Sequence, residues 1–267
     1  ITELDASNRN IASLNGLERF TKLVDLNLEN NRVEDLTPLA DLPRLRNLNL
    51  SSNGLKDLAI LEDINSLRVL VLDNNSIEDL QALDNKTSLE GLHIRNNRIS
   101  SLRGLESLKN LVEINLEGNR VEDLRPLKDL TLLRILNISN NGIIDLEEVN
   151  FHRISHLPLE TLNLNHNVAD DQRLSDISLL EGMVSLRDLT LRDNFIGDIS
   201  PLASLRNLMV LDLRENRLED IGALEGLTRL VKLNLRDNDI DSLDPLSNLV
   251  DLKYLNTHSN DRIQSLA

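Results

Sequence analysis

Leucines recur along the whole chain in one pattern, L-x-x-L-x-L-x-x-N-x-[IVL], of which Leu23, Leu26, Leu28, Asn31 and Val33 form a clean copy. The central L-x-L alternates apolar and polar positions, which is the period of a half-buried β-strand. After the asparagine the apolar residues recur at every third position, which favours a 3₁₀ or extended arc over a long helix. Each repeat is therefore predicted to be one strand followed by one arc.

The pattern occurs twelve times, and the copies follow one another without a break. The repeats begin at Ile1, Leu23, Leu45, Leu67, Leu89, Leu111, Leu133, Leu159, Leu186, Leu208, Leu230 and Leu252. Their spacing is 22 residues except after Leu133, where it is 26, and after Leu159, where it is 27. One coil cannot enclose its own leucines, so the core has to form by stacking. We predict a single domain over 1–267, with longer repeats at 133–158 and 159–185 and an incomplete last repeat.

One asparagine column is nearly invariant across the repeats, and only the first repeat departs from it, with Arg9. Its members are Asn31, Asn53, Asn75, Asn97, Asn119, Asn141, Asn167, Asn194, Asn216, Asn238 and Asn260. An amide side chain both donates and accepts, so it can satisfy backbone groups in its own turn and in the next coil. We predict that structural role; contact with a ligand or glycan is the alternative.

The 22-residue unit, with arcs such as 33–39 and 196–202 that carry Pro38 and Pro201, resembles the leucine-rich repeats of the internalin-like bacterial class. A related unit occurs in the regulatory subunit of type-1 protein phosphatase. The resemblance covers essentially the whole chain. It implies an α/β solenoid: a right-handed superhelix with a curved parallel β-sheet on the concave face and 3₁₀, extended or short helical arcs on the convex face. No capping element is visible, so we expect the chain to be an excerpt of a longer array or larger protein.

The family binds partners on the concave side, and the polar residues that flank the strand leucines point to that side because strand residues alternate faces. Candidate partner-binding residues in the first six repeats are Asp25, Asn27, Glu29, Asn49, Asp73, His93, Arg95, Glu113 and Glu117. Candidates in the later repeats are Arg192, Arg214, Lys232, Arg236, Tyr254 and His258. The first group is mainly acidic and the second is rich in basic residues. We therefore expect an electrostatic dipole along this face.

Two columns on the predicted face allow more than one interpretation. The column of Arg192, Arg214 and Arg236 is either neutralised by neighbouring carboxylates or binds an acidic peptide through bidentate contacts. A second column consists of asparagines that either bind a ligand or act as neutral spacers: Asn27, Asn49, Asn115, Asn137, Asn163, Asn234 and Asn256.

The two long repeats and one lysine interrupt the regular pattern. Residues 147–156 carry four extra residues, which suit one helical turn with Phe151 packed inward. Residues 168–173 accommodate five more. Both insertions are predicted to lengthen the convex arc, either as tolerated variation or as a second contact site. Lys86 occupies an apolar column, and we expect its stem to be buried with the amine reaching solvent.

Composition narrows the chemistry. The formal net charge of −15 disfavours nucleic acid and anionic membranes as partners, and no apolar run approaches the ~18 residues of a membrane span. Cysteine is absent and aromatic residues make up only 1%, so the core must be aliphatic. His152 and His156 lack a third metal ligand. The aspartates Asp237, Asp239 and Asp241 begin like a calcium loop but lack its glycine and glutamate. We predict no metal and no cofactor.

No nucleophile, base and orienting acid converge in the repeat pattern, so we predict a non-catalytic protein–protein interaction module that binds a protein or peptide and is monomeric by itself. The resemblance favours an adhesin-like recognition protein on a bacterial surface or secreted from the cell. The alternatives are a cytoplasmic scaffold or regulatory subunit, and the targeting domain of a larger enzyme.

Overall fold

The computed structural model describes residues 1–169 and 171–263; of residues 60 and 62 it describes only the backbone. The chain divides into two compact units, Ile1–Leu133 and Arg134–Ala267. Both units are built from the same coil, which consists of a short strand, a tight turn and an arc. The expectation of one domain over 1–267 stays a prediction.

The first unit contains a parallel sheet in which neighbouring strands pair in register, for example Leu26 opposite Leu48. Its strands are β1 (Glu3–Asp5), β2 (Asp25–Asn27), β3 (Asn47–Asn49), β4 (Val69–Val71), β5 (Gly91–His93) and β6 (Glu113–Asn115). Its 3₁₀ turns are Leu17–Arg19, Thr37–Leu39, Ala59–Asp63, Gln81–Leu83 and Arg125–Leu127. The predicted alternation of strand and short arc is confirmed in this unit.

The second unit repeats this plan and adds a small hairpin. Its parallel strands are β7 (Ile135–Asn137), β8 (Thr161–Asn163), β11 (Asp188–Thr190), β12 (Val210–Asp212), β13 (Lys232–Asn234) and β14 (Tyr254–Asn256). The hairpin pairs β9 (Val168–Ala169) with β10 (Gln172–Arg173) in antiparallel orientation. Its 3₁₀ turns are Phe151–Arg153, Ser178–Leu180, Ser200–Ser204, Gly222–Leu224 and Asp244–Leu246.

The core of each unit is aliphatic, as the composition predicts. Away from the first and last coils, where Leu4 is half-buried and Leu255 is exposed, the strand leucines and the apolar arc residues are buried almost completely; Leu70, Leu83 and Leu189 are each 0% exposed. Strands this short have little stability of their own, so the buried leucine, isoleucine and valine side chains of stacked coils hold the fold together. The outward strand positions take no part in this core.

The invariant asparagines join each coil to the one before it. Asn194 is 1% exposed; its Nδ2 donates to the carbonyls of Leu191 in its own turn (2.9 Å) and Leu164 in the preceding coil (3.0 Å), and its Oδ1 accepts from the amide of Asn167 (3.1 Å). Asn31 makes the same set of contacts, with the amide of Arg9 among its donors (3.1 Å). The predicted structural role of this column is confirmed.

A second column, immediately before these asparagines, adopts left-handed backbone angles. Glu215 has φ +56°, Asp237 has φ +54° and His166 has φ +51°. The corresponding residues in other coils are Asn8, Asn30, Ser52, Asn74, Asn96, Gly118, Asn140, Asp193 and Ser259. This conformation turns the chain away from the strand so that the next side chain points inward. Asparagine and glycine tolerate it well, whereas glutamate and histidine do so at a cost of about 1–2 kcal/mol.

The irregular segments agree with the predictions only in part. Phe151 is 0% exposed at the start of a single 3₁₀ turn, so its inward packing is confirmed. The second insertion is not a lengthened arc: it forms the hairpin β9–β10 directly after Asn167, before the arc begins. Asp170 lies outside the described residues. The buried stem of Lys86 is confirmed, but the prediction that its amine reaches solvent is wrong, because the residue is 3% exposed and its Nζ donates to Asn65 Oδ1 at 2.9 Å.

Replacing Glu215 with glycine relieves the left-handed backbone, so Glu215→Gly should raise the free energy of unfolding by about 1 kcal/mol. Its ion pair with Arg192 is at the surface and contributes less. Glu225, at φ −52°, is the matched control, and Glu225→Gly should lower the same free energy by about 0.5–1 kcal/mol. Chemical denaturation measures both. Equal losses in the two variants would contradict the role assigned to this column.

Candidate binding surface on the sheets

The outward side chains of the parallel strands, together with the position two residues after each strand, form a polar surface on each unit, here called the open sheet face. In the first unit this face contains the predicted residues Asp25, Asn27 and Asn49, which are half-buried, and Glu29, which is exposed. Successive strands repeat the same three positions, so the face is a grid of side chains spaced by the sheet itself.

Ion pairs on this face engage four of the predicted residues. Asp73 is 7% exposed and its Oδ2 lies 2.8 Å from Arg95 Nε, while its Oδ1 accepts from the Arg95 amide. His93 Nε2 lies 3.6 Å from Glu113 Oε1. Glu117, half-buried, follows β6. Asp73 therefore acts mainly as the anchor of Arg95, and the exposed guanidinium is the group that faces solvent.

A groove of about 580 Å³ crosses the first four strands. Polar side chains of the first three strands line it, including Asp25 and Asn27, and Val69 and Val71 line its far end. Both valines are half-buried at outward positions of β4. The predicted site residues are side chains with polar groups and do not include these two valines. The signal that would have found them is the sequence V-L-V in β4, where the other strands of the first unit have polar residues or glycine at the outward positions.

In the second unit each arginine of the column lies near a carboxylate. Arg192 Nε is 3.4 Å from Glu215 Oε1 and Arg214 Nε is 3.2 Å from Asp212 Oδ2, in neither case with hydrogen-bond geometry. Arg236 Nε is 2.9 Å from Asp237 Oδ2. The neutralising interpretation accounts for these pairs, yet about a third to half of each arginine side chain stays exposed (43%, 34% and 50%). The guanidinium groups are thus paired and still accessible.

Two aspartates lie among these arginines. Burial raises the pKa of Asp188, against the attraction of Lys232, and burial likewise raises the pKa of Asp212, against the hydrogen bond from the Arg214 amide.

The exposed residues Tyr254 and His258 lie on the last described coil, where His258 Nδ1 is 2.6 Å from Ser259 Oγ.

The outward asparagine column has a role that neither sequence interpretation included. Asn27 Oδ1 accepts from the amide of Glu29 at 3.0 Å, and Asn49 Oδ1 accepts from the amide of Ser51 at the same distance. Equivalent bonds occur at Asn115, Asn137, Asn163, Asn234 and Asn256. The carbonyl half of each amide closes the turn after its strand. The Nδ2 group points away from that bond and is the part that could donate to a ligand.

The hairpin of the second unit borders its sheet. The Arg217 guanidinium stacks on the Phe195 ring, with Cζ 3.6 Å from the ring centroid, and Arg173 of β10 lies 5.0 Å from it. Arg173 also contacts Asp193, which contacts His166. This cluster fixes the hairpin against the following coil through cation–π and charge contacts.

The comparisons with known proteins identify this architecture. Family models described as leucine-rich repeats match residues 43–85, 87–129 and 184–240, which together are more than half of the chain. The chain belongs to the leucine-rich repeat family. No curated protein matches this leucine-rich repeat chain significantly in sequence.

Solved structures of the family are similar over nearly the whole chain. An internalin, InlF, of Listeria monocytogenes is 26% identical, with a TM-score of 0.69 over 96% of this chain and 86% of its own. The functional domain of Listeria monocytogenes InlJ is 23% identical, with a TM-score of 0.69 over 100% of this chain and 57% of its own. The ectodomain of an Arabidopsis thaliana receptor kinase, GASSHO1/SCHENGEN3, is 23% identical, with a TM-score of 0.67 over 97% and 33%.

These findings support an interaction module. Leucine-rich repeat domains typically bind proteins and have no catalytic activity. Within residues 1–169 and 171–263, no three acidic or histidine side chains are grouped so that they could hold a metal ion. His152 instead lies 3.2 Å from Glu147. The described part of the chain also contains no helix that is long and apolar enough to span a bilayer.

The raised pKa of Asp188 predicts a pH-dependent effect on stability. Because its carboxyl titrates higher in the folded state, its contribution is most favourable below the unfolded pKa and is lost as the pH rises through the folded pKa. Asp188→Asn should therefore raise the thermal midpoint at pH 7, and the gain should shrink below about pH 4, where the wild-type carboxyl is protonated. Asp251→Asn, at an exposed loop position, is the control. A gain that is constant with pH would contradict the assignment.

Proposed function

We propose that this chain is the recognition domain of an adhesin-like bacterial protein, displayed on the surface or secreted, that binds a protein on its open sheet face. The observation that carries the proposal is that different residues of the coil build the core and form the open sheet face. Leucines and the inward asparagines build the core, and the open sheet face keeps exposed arginine, carboxylate and amide groups that the core does not need.

Two relatives support this proposal. The likeness to the Listeria internalin InlF extends over most of both chains. The plant receptor ectodomain was solved in complex with CASPARIAN STRIP INTEGRITY FACTOR 2, so a leucine-rich repeat array of similar fold does accept a separate ligand. In this proposal the chain acts as a monomer. Its net charge of −15 disfavours nucleic acid as a partner and leaves a protein as the ligand.

Charge reversal on the second unit tests the proposal. Arg214→Glu with Arg236→Glu should weaken saturable binding of the labelled chain to intact host or neighbouring bacterial cells at least about tenfold, because both guanidinium groups are accessible and are neighbours in their column. Binding should disappear when the cells are pretreated with protease.

The control has the same change in net charge away from the sheet. Arg153 and Arg206 are exposed in the arcs, and Arg153→Glu with Arg206→Glu should leave cell binding within about twofold of the wild type. Equal loss of cell binding in both double variants would show that the effect comes from net charge alone and would contradict the proposed binding face. Binding only to proteins released by lysis would favour an intracellular scaffold instead.

A further inference from the structure

The first unit has an apolar depression on its open sheet face that the core does not require. Val69 and Val71 of β4 point outward and are half-buried, and the neighbouring strand pairs Gly91 with Val69 in register. Gly91 has no side chain to cover the valine. A row of polar side chains is therefore interrupted by two valines and a bare position.

The backbone conformation at position 91 does not require glycine. Gly91 lies within β5 and is not in the left-handed region, unlike Gly104 or Gly118. A Cβ at Gly91 would meet only the two methyl groups of Val69, at 3.6 and 3.7 Å, which is ordinary van der Waals contact. Glycine inside a strand is less stabilising than alanine and often marks a place where another chain approaches closely. Gly91 itself is buried, and the half-buried Val69 beside it presents its methyl groups to a ligand.

The depression continues the groove that crosses the first four strands, which ends on Val69 and Val71. Toward the groove's other end the charged groups are acidic. Glu3, Asp5 and Asp25 line this end. Asp25 accepts a hydrogen bond from the Asn47 amide, and Glu29, which lies just outside the groove lining, accepts one from Asn49 at 3.4 Å. Among the described residues neither Asp25 nor Glu29 forms an ion pair with a basic side chain. This contrasts with Asp73, which Arg95 neutralises on the same face.

We propose that Val69, Val71 and the bare Gly91 position form a socket for an aliphatic side chain of the protein ligand, and that Asp25 and Glu29 bind a lysine or arginine of the same segment. This inference rests on the proposed function and specifies its ligand. The socket and the carboxylates are two to three strands apart, ~10–14 Å. An extended segment covers that distance in about three or four residues. The ligand is therefore a cationic segment with an aliphatic residue three or four positions from its lysine or arginine.

Selection of a displayed library of random twelve-residue peptides on the full chain tests this assignment. The enriched peptides should contain an aliphatic residue and a lysine or arginine at that spacing. Gly91→Leu fills the socket and should weaken the selected peptides by more than about tenfold. Asp25→Asn with Glu29→Gln should weaken them by about five- to tenfold and flatten the dependence of affinity on salt.

Matched controls separate binding from folding. Gly226 has open space around a Cβ and lies in an arc of the second unit, so Gly226→Leu should leave binding unchanged. Glu34→Gln with Asp41→Asn neutralises two exposed carboxylates in the arc of the same unit and should also have no effect. If Gly91→Leu lowers the thermal midpoint, Val71→Thr, which keeps shape and adds polarity, gives the same test and should weaken binding in the same direction.

Each result decides the assignment. Loss of binding in the socket and carboxylate variants, with unchanged controls, supports it. Peptides that are insensitive to Gly91→Leu and Val71→Thr but are lost with Arg214→Glu overturn the socket and leave the proposed function standing. Peptides insensitive to every variant of both open sheet faces overturn the socket and the proposed function together. Self-association of the chain through these residues, seen as a molecular mass that rises with concentration, would also overturn the proposal, because the socket would then bind a second copy of the chain and not a different protein.

Discussion

The buried asparagine amide is the interaction on which the structure depends. A coil of 22 residues turns sharply twice and leaves backbone carbonyls and amides facing a leucine core. Asn194 satisfies groups in its own turn and in the preceding coil with one side chain. Leaving one such group unpaired would cost about 1–3 kcal/mol. Because the bonds run between coils, the hydrophobic stack and the polar ladder reinforce one another, and neither coil is complete alone.

This arrangement explains why the sheet can serve recognition. Strands of three residues supply only one inward leucine or isoleucine each, and in seven strands the turn that follows is closed by the strand's own asparagine, as Asn27 does for Glu29. The side chains at the outward positions are therefore not needed to form the core. In the second unit these positions hold paired but accessible arginines. In the first they hold an apolar depression and, two to three strands away, carboxylates that form no ion pair among the described residues. The two units thus present different chemistry on the same scaffold.

The repeat, the aliphatic core and the inward asparagines were predictable from the sequence because each follows from a periodic pattern of leucine or asparagine. The left-handed column was not, because residues as different as Asn30, Glu215 and His166 occupy it, and the shared property is a backbone angle. Lys86 was mispredicted because its partner, Asn65, belongs to the preceding coil. The hairpin at 168–173 departs from the repeat, and no period constrains it. Val69 and Val71 were overlooked because the site was sought among polar residues.

Hydrogen exchange of single amides tests the asparagine ladder most directly. The amides of Ile196, Leu218 and Ile240 donate to the asparagine Oδ1 of the following coil at 3.0–3.1 Å. The amides of Ser200 and Gly222 donate to exposed aspartates of their own coil at 2.8 and 2.7 Å. The account predicts that the first set exchanges only through global unfolding and the second through local opening. Equal, fast exchange of both sets would contradict it.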